Sequence, residues 1–427
     1  MNPLDIAFKG KGVENALKRI RVISQRYGLT AGKMEAILAR FASLLSQFDC
    51  SATFPIPASA LRRSNGVIER FQQKGIEFAV HGYHHIDHTY LSLPEQRSYF
   101  EKARRVFETR GLVCNGFRSP YLRWNEATIT ALNQAGFLYE GGQGLAWDVV
   151  NGVETEAYRH VLNFYGAIPA ADYPALPRWE NGLVRIPYCL PDDEALIDRL
   201  QLEAGEKMNR LWLAILEKTY TLGELFTLGL HPERIALCET SLTETLLRAR
   251  ALSPAVWIAR LDEIAQWWKA RSQAEVTITP GEGGELFVQV RGPVGVTILA
   301  RGVHTTPSGS EWDGHYRRIA AEKFTLRCDR RPFIGVAPSS PPGLSDFLRQ
   351  QGYIVEAAEN PHLHTFFVDR AVFHHKDERP LLAQIEQGDF PLVRLGRWPN
   401  GARSALCVTG DIDALTIWDY GLRFLGR

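Results

Sequence analysis

Phe78-Ala-Val-His81-Gly-Tyr-His84-His85-Ile-Asp87-His88 holds four of the chain's twelve histidines within eight residues, directly after the apolar run 76–80. That run reads as a short buried strand. A strand that ends in histidines sets imidazoles at the carboxyl edge of a sheet, where α/β proteins build their sites. His81 and His85 stand at i and i+4, so on one helical turn, or a tight loop leading into one, both rings can face a common point. Two neutral imidazoles suit a divalent transition metal and leave its coordination incomplete. Further ligands are therefore expected from elsewhere in the chain.

Around this stretch, strands and helices alternate. Residues 33–48 carry apolar side chains at helical spacing (Met34, Ile37, Leu38, Phe41, Leu44, Leu45), and 52–56 reads as a strand. Helices are predicted over 66–73, 94–109, 125–135 (closed by Gly136) and 195–219, and one or two helices over 244–271, with a short basic helical segment over 13–27. Strands are predicted at 116–121, 137–140, 144–150, 183–188 and 225–230. Such alternation over roughly 240 residues predicts a parallel sheet or an (α/β) barrel.

At Ala274 the pattern changes to short alternating strands separated by Gly and Pro (276–279, 285–291, 294–300), which predict a small antiparallel β unit over 274–327. From 328 to 397, strands at 333–337, 353–357, 365–368 and 392–395 with helices at 344–351 and 381–387 predict a compact α/β unit. Its Ser339-Ser-Pro-Pro-Gly343 turn lacks the glycine pattern of a phosphate-binding loop. Trp312 and Tyr316 could stack on sugar rings, but core or hinge roles are the simpler expectation. The final stretch, 398–427, contains the apolar strand 404–408 followed by Thr409-Gly-Asp411-Ile-Asp413. Positions i and i+2 of a strand point the same way, so both aspartates can reach one site.

A lone His-x-x-x-His pair recurs by chance. Here three further polar tips follow apolar strands: Arg118-Ser-Pro120-Tyr121, Leu228-Gly-Leu-His231 and Asp411-Ile-Asp413. A barrel would gather all four on one rim.

Bulk properties set limits. A chain of 427 residues exceeds one ordinary core, and 45% hydrophobic with 23% charged residues is the composition of a folded soluble protein. A net charge of +1 gives no electrostatic case for nucleic acid or an acidic membrane surface. No apolar run is long enough to span a bilayer, and the first residues lack the layout of a signal peptide. The six cysteines (Cys50, Cys114, Cys189, Cys238, Cys328, Cys407) are isolated and read as free thiols, so a cytoplasmic location is the expectation.

The order of a histidine pair, Arg-x-Pro-Tyr, Trp-Asp and Leu-x-x-His resembles the polysaccharide deacetylases of carbohydrate esterase family four. The resemblance covers roughly residues 30–272 and implies a distorted (β/α) barrel that hydrolyses N-acetyl, sometimes O-acetyl, groups with a metal held by one Asp and two His. His81 and His85 fall on the ligand pair, although Gly82 replaces the usual Ser or Thr. Arg118, Pro120 and Tyr121 fall on the arginine motif. Trp147 and Asp148 fall more loosely on the Trp/Asp segment, and Leu228 and His231 on the last motif. The family's acidic first strand should precede residues 33–48, and nothing in 1–32 fits; Asp5 is a lone acid. Thr409-Gly-Asp411-Ile-Asp413 does fit, although family members often have adjacent acids and Ile412 separates these two. The inference drawn is circular permutation, with domain 1–273 a barrel lacking its first strand and 398–427 supplying it. Two alternatives stay open: a second, truncated catalytic domain beginning at 398, or completion of a neighbouring subunit by swapping.

The resemblance implies roles. Asp413, His81 and His85 would bind a divalent metal, zinc first among the candidates. Asp411 would act as general base, oriented by Arg118, and protonated His231 as general acid. A backbone N–H near Tyr121 would assist the oxyanion, Leu228 and Trp147 would form the pocket for the acetyl methyl, and Asp148 would tune His231. His84 and His88 would be supporting or rim residues. The expected partner is a carbohydrate, with neither nucleic acid nor membrane, and the oligomeric state is open. Two rival functions remain: hydrolysis of another C–N bond (a cyclic ureide or formyl amide) on the same barrel, or glycan binding without catalysis.

Overall fold

The computed structural model describes residues 26–423. The helical segment expected over 13–27 lies outside these residues apart from its last two positions, and Asp5 lies outside them altogether. The first part of the chain runs α1 (Gly32–Ser46), β1 (Ala52–Ile56), α2 (Ala58–Leu61), α3 (Val67–Gln72), β2 (Glu77–Val80), α4 (Leu93–Thr109), β3 (Gly116–Phe117), α5 (Glu126–Gln134), β4 (Tyr139–Ala146), α6 (Glu156–Tyr165), β5 (Ile168–Pro169), β6 (Arg178–Glu180) and β7 (Leu183–Leu190). It continues through α7 (Glu206–Leu222), β8 (Leu225–Gly229), α8 (Ile235–Ala251), β9 (Val256–Ile258) and α9 (Leu261–Ser272). The helix expected over 195–219 is instead one wide turn, Ala195–Arg199, followed by α7, with Gly205 at φ 133° between them.

Next come β10 (Glu275–Pro280), β11 (Glu285–Arg291), β12 (Ile298–Arg301), β13 (His304–Thr306), β14 (Ser310–Glu311), β15 (Arg317–Ile319) and β16 (Lys323–Arg327). The third part is β17 (Arg331–Val336), α10 (Pro342–Gln350), β18 (Val355–Ala357), β19 (His364–Val368), α11 (Glu378–Glu386) and β20 (Leu392–Leu395), and the chain ends with β21 (Ser404–Thr409) and α12 (Ile417–Arg423).

The main sheet runs β6-β7-β4-β3-β2-β1-β21-β8, parallel except for β6. Strand β21 therefore lies inside the sheet formed by the first half of its own chain. Val408 and Thr409 pair with Ala52 and Thr53 of β1, and Ala405 to Thr409 pair with Leu225 to Gly229 of β8. Every residue of β1, β2, β7, β8 and β21 is buried, the pattern of parallel strands covered on both faces. The curled sheet nearly closes on itself. Among the described residues no backbone ladder joins β7 to β8, but Thr227 bridges the seam. Its Oγ1 accepts from the Cys189 N–H at 2.8 Å and donates to the Pro187 carbonyl at 2.9 Å. The fold is thus mixed α/β with a curled, distorted barrel sheet.

A polar knot fixes the amino ends of the strands. The Glu77 carboxyl accepts from Thr53 Oγ1 (2.6 Å), the Tyr139 hydroxyl (2.8 Å) and the Asp262 N–H at the start of α9 (3.0 Å). Burial, then the nearby Asp262 charge, pushes its pKa up to about 8.

The rest packs beside the barrel. One sheet is β10-β11-β16-β13 and a second is β14-β15-β12-β20. The strand at 392–395, expected within the α/β unit, instead pairs antiparallel with β12 and so stitches that unit to the β unit. The remaining parallel sheet is β18-β17-β19. Tyr316 is 3% exposed and donates to Glu386, and the Trp312 indole donates to the Gly401 carbonyl, so both serve packing.

Candidate metal and acid–base site

Four strand ends meet at one rim. His81 follows β2, Arg118 follows β3, His231 lies two residues past β8, and Asp411 and Asp413 follow β21. Two glycines make the geometry possible. Gly82 has φ 78°, and a Cβ there would lie 2.8 Å from both the His84 carbonyl oxygen and His88 Cε1. At Gly410 a Cβ would come within 1.9 Å of the Leu230 carbonyl oxygen, because β21 and β8 run in parallel as neighbours up to this point, with the Leu230 N–H donating to the Thr409 carbonyl at 2.7 Å.

His81 Nδ1 faces the Arg118 carbonyl at 2.9 Å. A carbonyl only accepts, so Nδ1 carries the proton and Nε2 presents its lone pair. That Nε2 lies 3.8 Å from Asp413 Oδ1, and His85 Nε2 lies 3.3 Å from the same oxygen. The three ligand atoms lie within 4.8 Å of one another. Ligands on a zinc ion with bonds near 2.05 Å sit ~3.3 Å apart, so little adjustment is needed. His81 Nε2 is buried and makes no hydrogen bond among the described residues, which is an expensive state for a nitrogen with no other task. Burial, only partly offset by Asp411 and Asp413, lowers the His81 pKa and favours the neutral form that a metal ligand must have. The residues fit a divalent metal.

Asp411 also approaches His81 Nε2, at 3.6 Å, so distance to that ring does not separate the two aspartates. Their other partners do. Asp413 is the acid beside His85, whereas Asp411 is bound by Arg118. The Arg118 side chain is 1% exposed, and all its nitrogens are used: Nη1 to Asp411 Oδ1 (3.0 Å), Nη2 to Thr409 Oγ1 (3.0 Å) and Nε to the Gly141 carbonyl (2.9 Å). Its guanidinium lies 4.6 Å from the Tyr188 ring centroid. Thr409 Oγ1 passes the network on, donating to the Thr53 carbonyl at 2.7 Å.

Across the rim, His231 Nδ1 donates to Asp193 Oδ1 at 2.7 Å. Burial alone would lower the His231 pKa. The Asp193 charge and hydrogen bond, joined by Glu233 and Asp411, outweigh it and hold the imidazole well above its usual value. Arg234 lies 3.4 Å from Asp193 and 2.7 Å from Asp198. Asp192 is tied down separately, accepting from the Tyr188 hydroxyl at 3.0 Å and the Ala195 N–H at 2.8 Å. Asp192, Asp193 and His231 are close enough to form a second donor group, but there Arg234 already supplies positive charge to Asp193.

The structure brings together His81, His85, Arg118, Asp411, Asp413 and His231. The Tyr121 ring meets His85 edge-on at 4.5 Å, and its backbone has φ 60°. Three expected residues lie elsewhere. Asp148 is exposed, with only its carbonyl engaged among the described residues, by Lys218, and the carboxylate on His231 is Asp193. Leu228 neighbours Gly229, whose face meets Tyr188 and Asp192, so strand alternation turns Leu228 outward to the helix layer. Trp147 directly follows β4 and is buried, 5.9 Å from the Arg379 guanidinium. The apolar groups on the rim side are Leu122, Tyr188 and Leu190, with Tyr165 against them. His88 is fully buried among Tyr99, Phe100 and Phe117, and His84 packs on Tyr83 and Tyr99. Asp193 escaped the sequence reading. The signal for it was Pro191-Asp192-Asp193-Glu194, three acids placed directly after the apolar strand 183–190.

Comparisons with known proteins find similar chains, chiefly for the first part of the sequence. Residues 29–139 match the polysaccharide deacetylase family model. The chain is 35% identical over 89 residues to the peptidoglycan deacetylase-like protein FGM2 of Gibberella zeae. That stretch is 21% of this chain and 23% of the relative, so the match spans about a quarter of the relative's length. Among solved structures, a protein assigned as a polysaccharide deacetylase from Mycobacterium smegmatis superposes with a TM-score of 0.43 at 21% identity, over 58% of this chain and 81% of its own. The allantoinase PuuE gives a TM-score of 0.43 at 22% identity, over 55% and 72%. The segment that matches the polysaccharide deacetylase family model carries His81, His85 and Arg118.

Proposed function

We propose that the protein is a metal-dependent hydrolase that removes N-acetyl groups from a carbohydrate. The observation that supports this best is the convergence on one rim of three metal-type donors, with an Arg118-bound carboxylate on one side and an Asp193-bound imidazole on the other. A divalent metal, zinc by the donor set, would be held by His81, His85 and Asp413, and would polarise a substrate carbonyl and acidify water.

Every other step belongs to the chain's own groups. Asp411, fixed by Arg118, takes the proton of the water that attacks the acetyl carbon. The backbone at Tyr121 donates to the carbonyl oxygen as negative charge develops. His231, with Nδ1 engaged by Asp193, gives its Nε2 proton to the leaving nitrogen as the C–N bond breaks, releasing acetate and a free amine. Leu122, Tyr165 and Leu190 supply the apolar surface for the acetyl methyl, in place of Leu228 and Trp147.

We also propose that the chain is a circular permutant, with β21 as the barrel strand that carries the acidic motif. In support, His85 and Asp413 are 3.3 Å apart within one chain, and β21 pairs with β1 and β8 of that same chain.

The test is metal analysis of the purified protein, together with a screen of N-acetylated oligosaccharides, peptidoglycan and small cyclic amides including allantoin. Peptidoglycan is included because the FGM2 name points to it. Acetate release that is lost with a chelator and restored by zinc is expected. Turnover of the cyclic amide alone would replace the carbohydrate with the other C–N substrate class. No turnover of any of them, with metal bound, would sink the proposal.

A further inference from the structure

Where the barrel, the β unit and the α/β unit meet, four arginines are buried together. Arg271 closes α9, Arg301 ends β12, Arg394 lies in β20 and Arg397 just follows it, and they are 3%, 4%, 4% and 6% exposed. Among the described residues only Arg394 has a carboxylate partner, Glu386. Glu386 is already engaged, accepting also from the hydroxyls of Tyr316 (3.1 Å) and Tyr353. The cluster is tight. A Cβ on Gly352 would lie 3.1 Å from Arg271 Nη1 and 2.4 Å from the Leu395 carbonyl oxygen, two residues before Arg397.

Helix ends offset part of the charge. Arg397 Nη1 donates to the Leu222 carbonyl at the end of α7 (2.8 Å), Arg271 Nη2 to the Gln350 carbonyl at the end of α10, and Arg301 to the Ile385 (2.6 Å) and Glu386 (2.9 Å) carbonyls at the end of α11. Each helix end counts for roughly half a negative charge, so with Glu386 about one and a half positive charges are left over. Donors are left over too: Arg397 Nε and Nη2 and Arg271 Nε are buried and bond to nothing among the described residues. Arginine does not escape by losing its proton. Burial, then Arg394 and Arg397, pushes the Arg271 pKa down to about 9, a further sign of mutual repulsion. An uncompensated buried guanidinium is strongly disfavoured, and an anion placed among these side chains would offset it.

We propose that this junction is a binding site for a small oxyanion of the phosphate class, gripped by Arg397 through Nε and Nη2 and by Arg271 through Nε. It lies apart from the metal rim, and the anion would tie the β and α/β units to the barrel. The phosphate could be free or carried on an ester.

The test is thermal unfolding and calorimetric titration of the full chain with inorganic phosphate against chloride at matched ionic strength, with EDTA present because a metal centre also takes oxyanions. Glycerol phosphate forms a second arm, which separates free phosphate from an ester. Saturable stabilisation by inorganic phosphate or by the ester is expected, with affinity lowered about tenfold or more in Arg397→Met and in Arg271→Met. Phosphate and ester both indistinguishable from chloride in the parent protein would overturn the site, as would parent-like affinity in either folded variant.

Discussion

Replacing Asp193 with Asn tests the acid side of the site more sharply than any truncation, because it keeps the shape and removes the charge. In the parent protein, Asp193 Oδ1 lies 2.7 Å from His231 Nδ1. Burial by itself would hold the imidazole below its ordinary 6.5, and it stands well above that value because the Asp193 charge outweighs burial. An opposite charge this close is worth about 1–3 pKa units. At 1.36 kcal/mol per unit this is roughly 1.5–4 kcal/mol of preference for the protonated ring. Activity that needs His231 protonated survives up to the folded-state pKa and falls beyond it. In Asp193→Asn the alkaline limb of kcat/KM should therefore move down by about 1–3 units. A bound metal's charge lowers both profiles alike, so the difference between them is the quantity to read.

Stability follows the same sign. The raised pKa contributes stability that is fully present below 6.5 and is lost as pH rises through the folded value, so denaturant unfolding should separate parent from variant most at low pH and least at alkaline pH. The assay is a pH series of acetate release from an N-acetylated oligosaccharide. An unmoved alkaline limb in a folded, metal-loaded Asp193→Asn would refute the role given to the pair.

Other outcomes follow from the same geometry. Asp411→Asn should cut turnover by about 10²-fold or more while zinc content, read by atomic absorption, stays near one per chain, because the variant loses the base and keeps the ligands. Asp413→Ala should lower zinc affinity by at least about tenfold and lose activity with it; full metal retention would exchange the roles of the two aspartates. Gly82→Ala should cost about 1–3 kcal/mol of stability, measured by urea unfolding, since it places a side chain at φ 78° against the His84 carbonyl and the His88 ring.

The strands of the barrel and the rim residues that follow them were legible because each is a short apolar run ending in a polar residue. What was not legible is which way a strand faces. Every residue of β8 is buried on one side or the other, so nothing in Leu225-Phe-Thr-Leu-Gly229 says that Leu228 looks outward. The partner of His231 was hidden for a related reason. Asp193 reaches it only because β7 and β8 come together across the Thr227 bridge, a tertiary event with no trace in residue spacing. Asp148 beside Trp147 offered a motif and no such closure. The strand at 392–395 was recognised, but its membership was not, since nothing in the four residues Leu392-Val-Arg394-Leu395 says whether the neighbour is parallel or antiparallel.

The Thr409–Thr53 hydrogen bond joins residues 356 positions apart, and this has a consequence for how the protein is made. A ribosome delivers β1, β2 and β8 long before β21, so the nascent chain must wait with two unpaired strand edges, β1 and β8, where the last strand will go. Loop closure over that distance is slow, and those edges are the ones that a neighbouring nascent chain could occupy instead. The same late strand delivers Asp411 and Asp413. An unfinished chain therefore lacks the proposed base and one proposed metal donor until the sheet itself is complete, which on that reading ties the onset of activity to the end of folding.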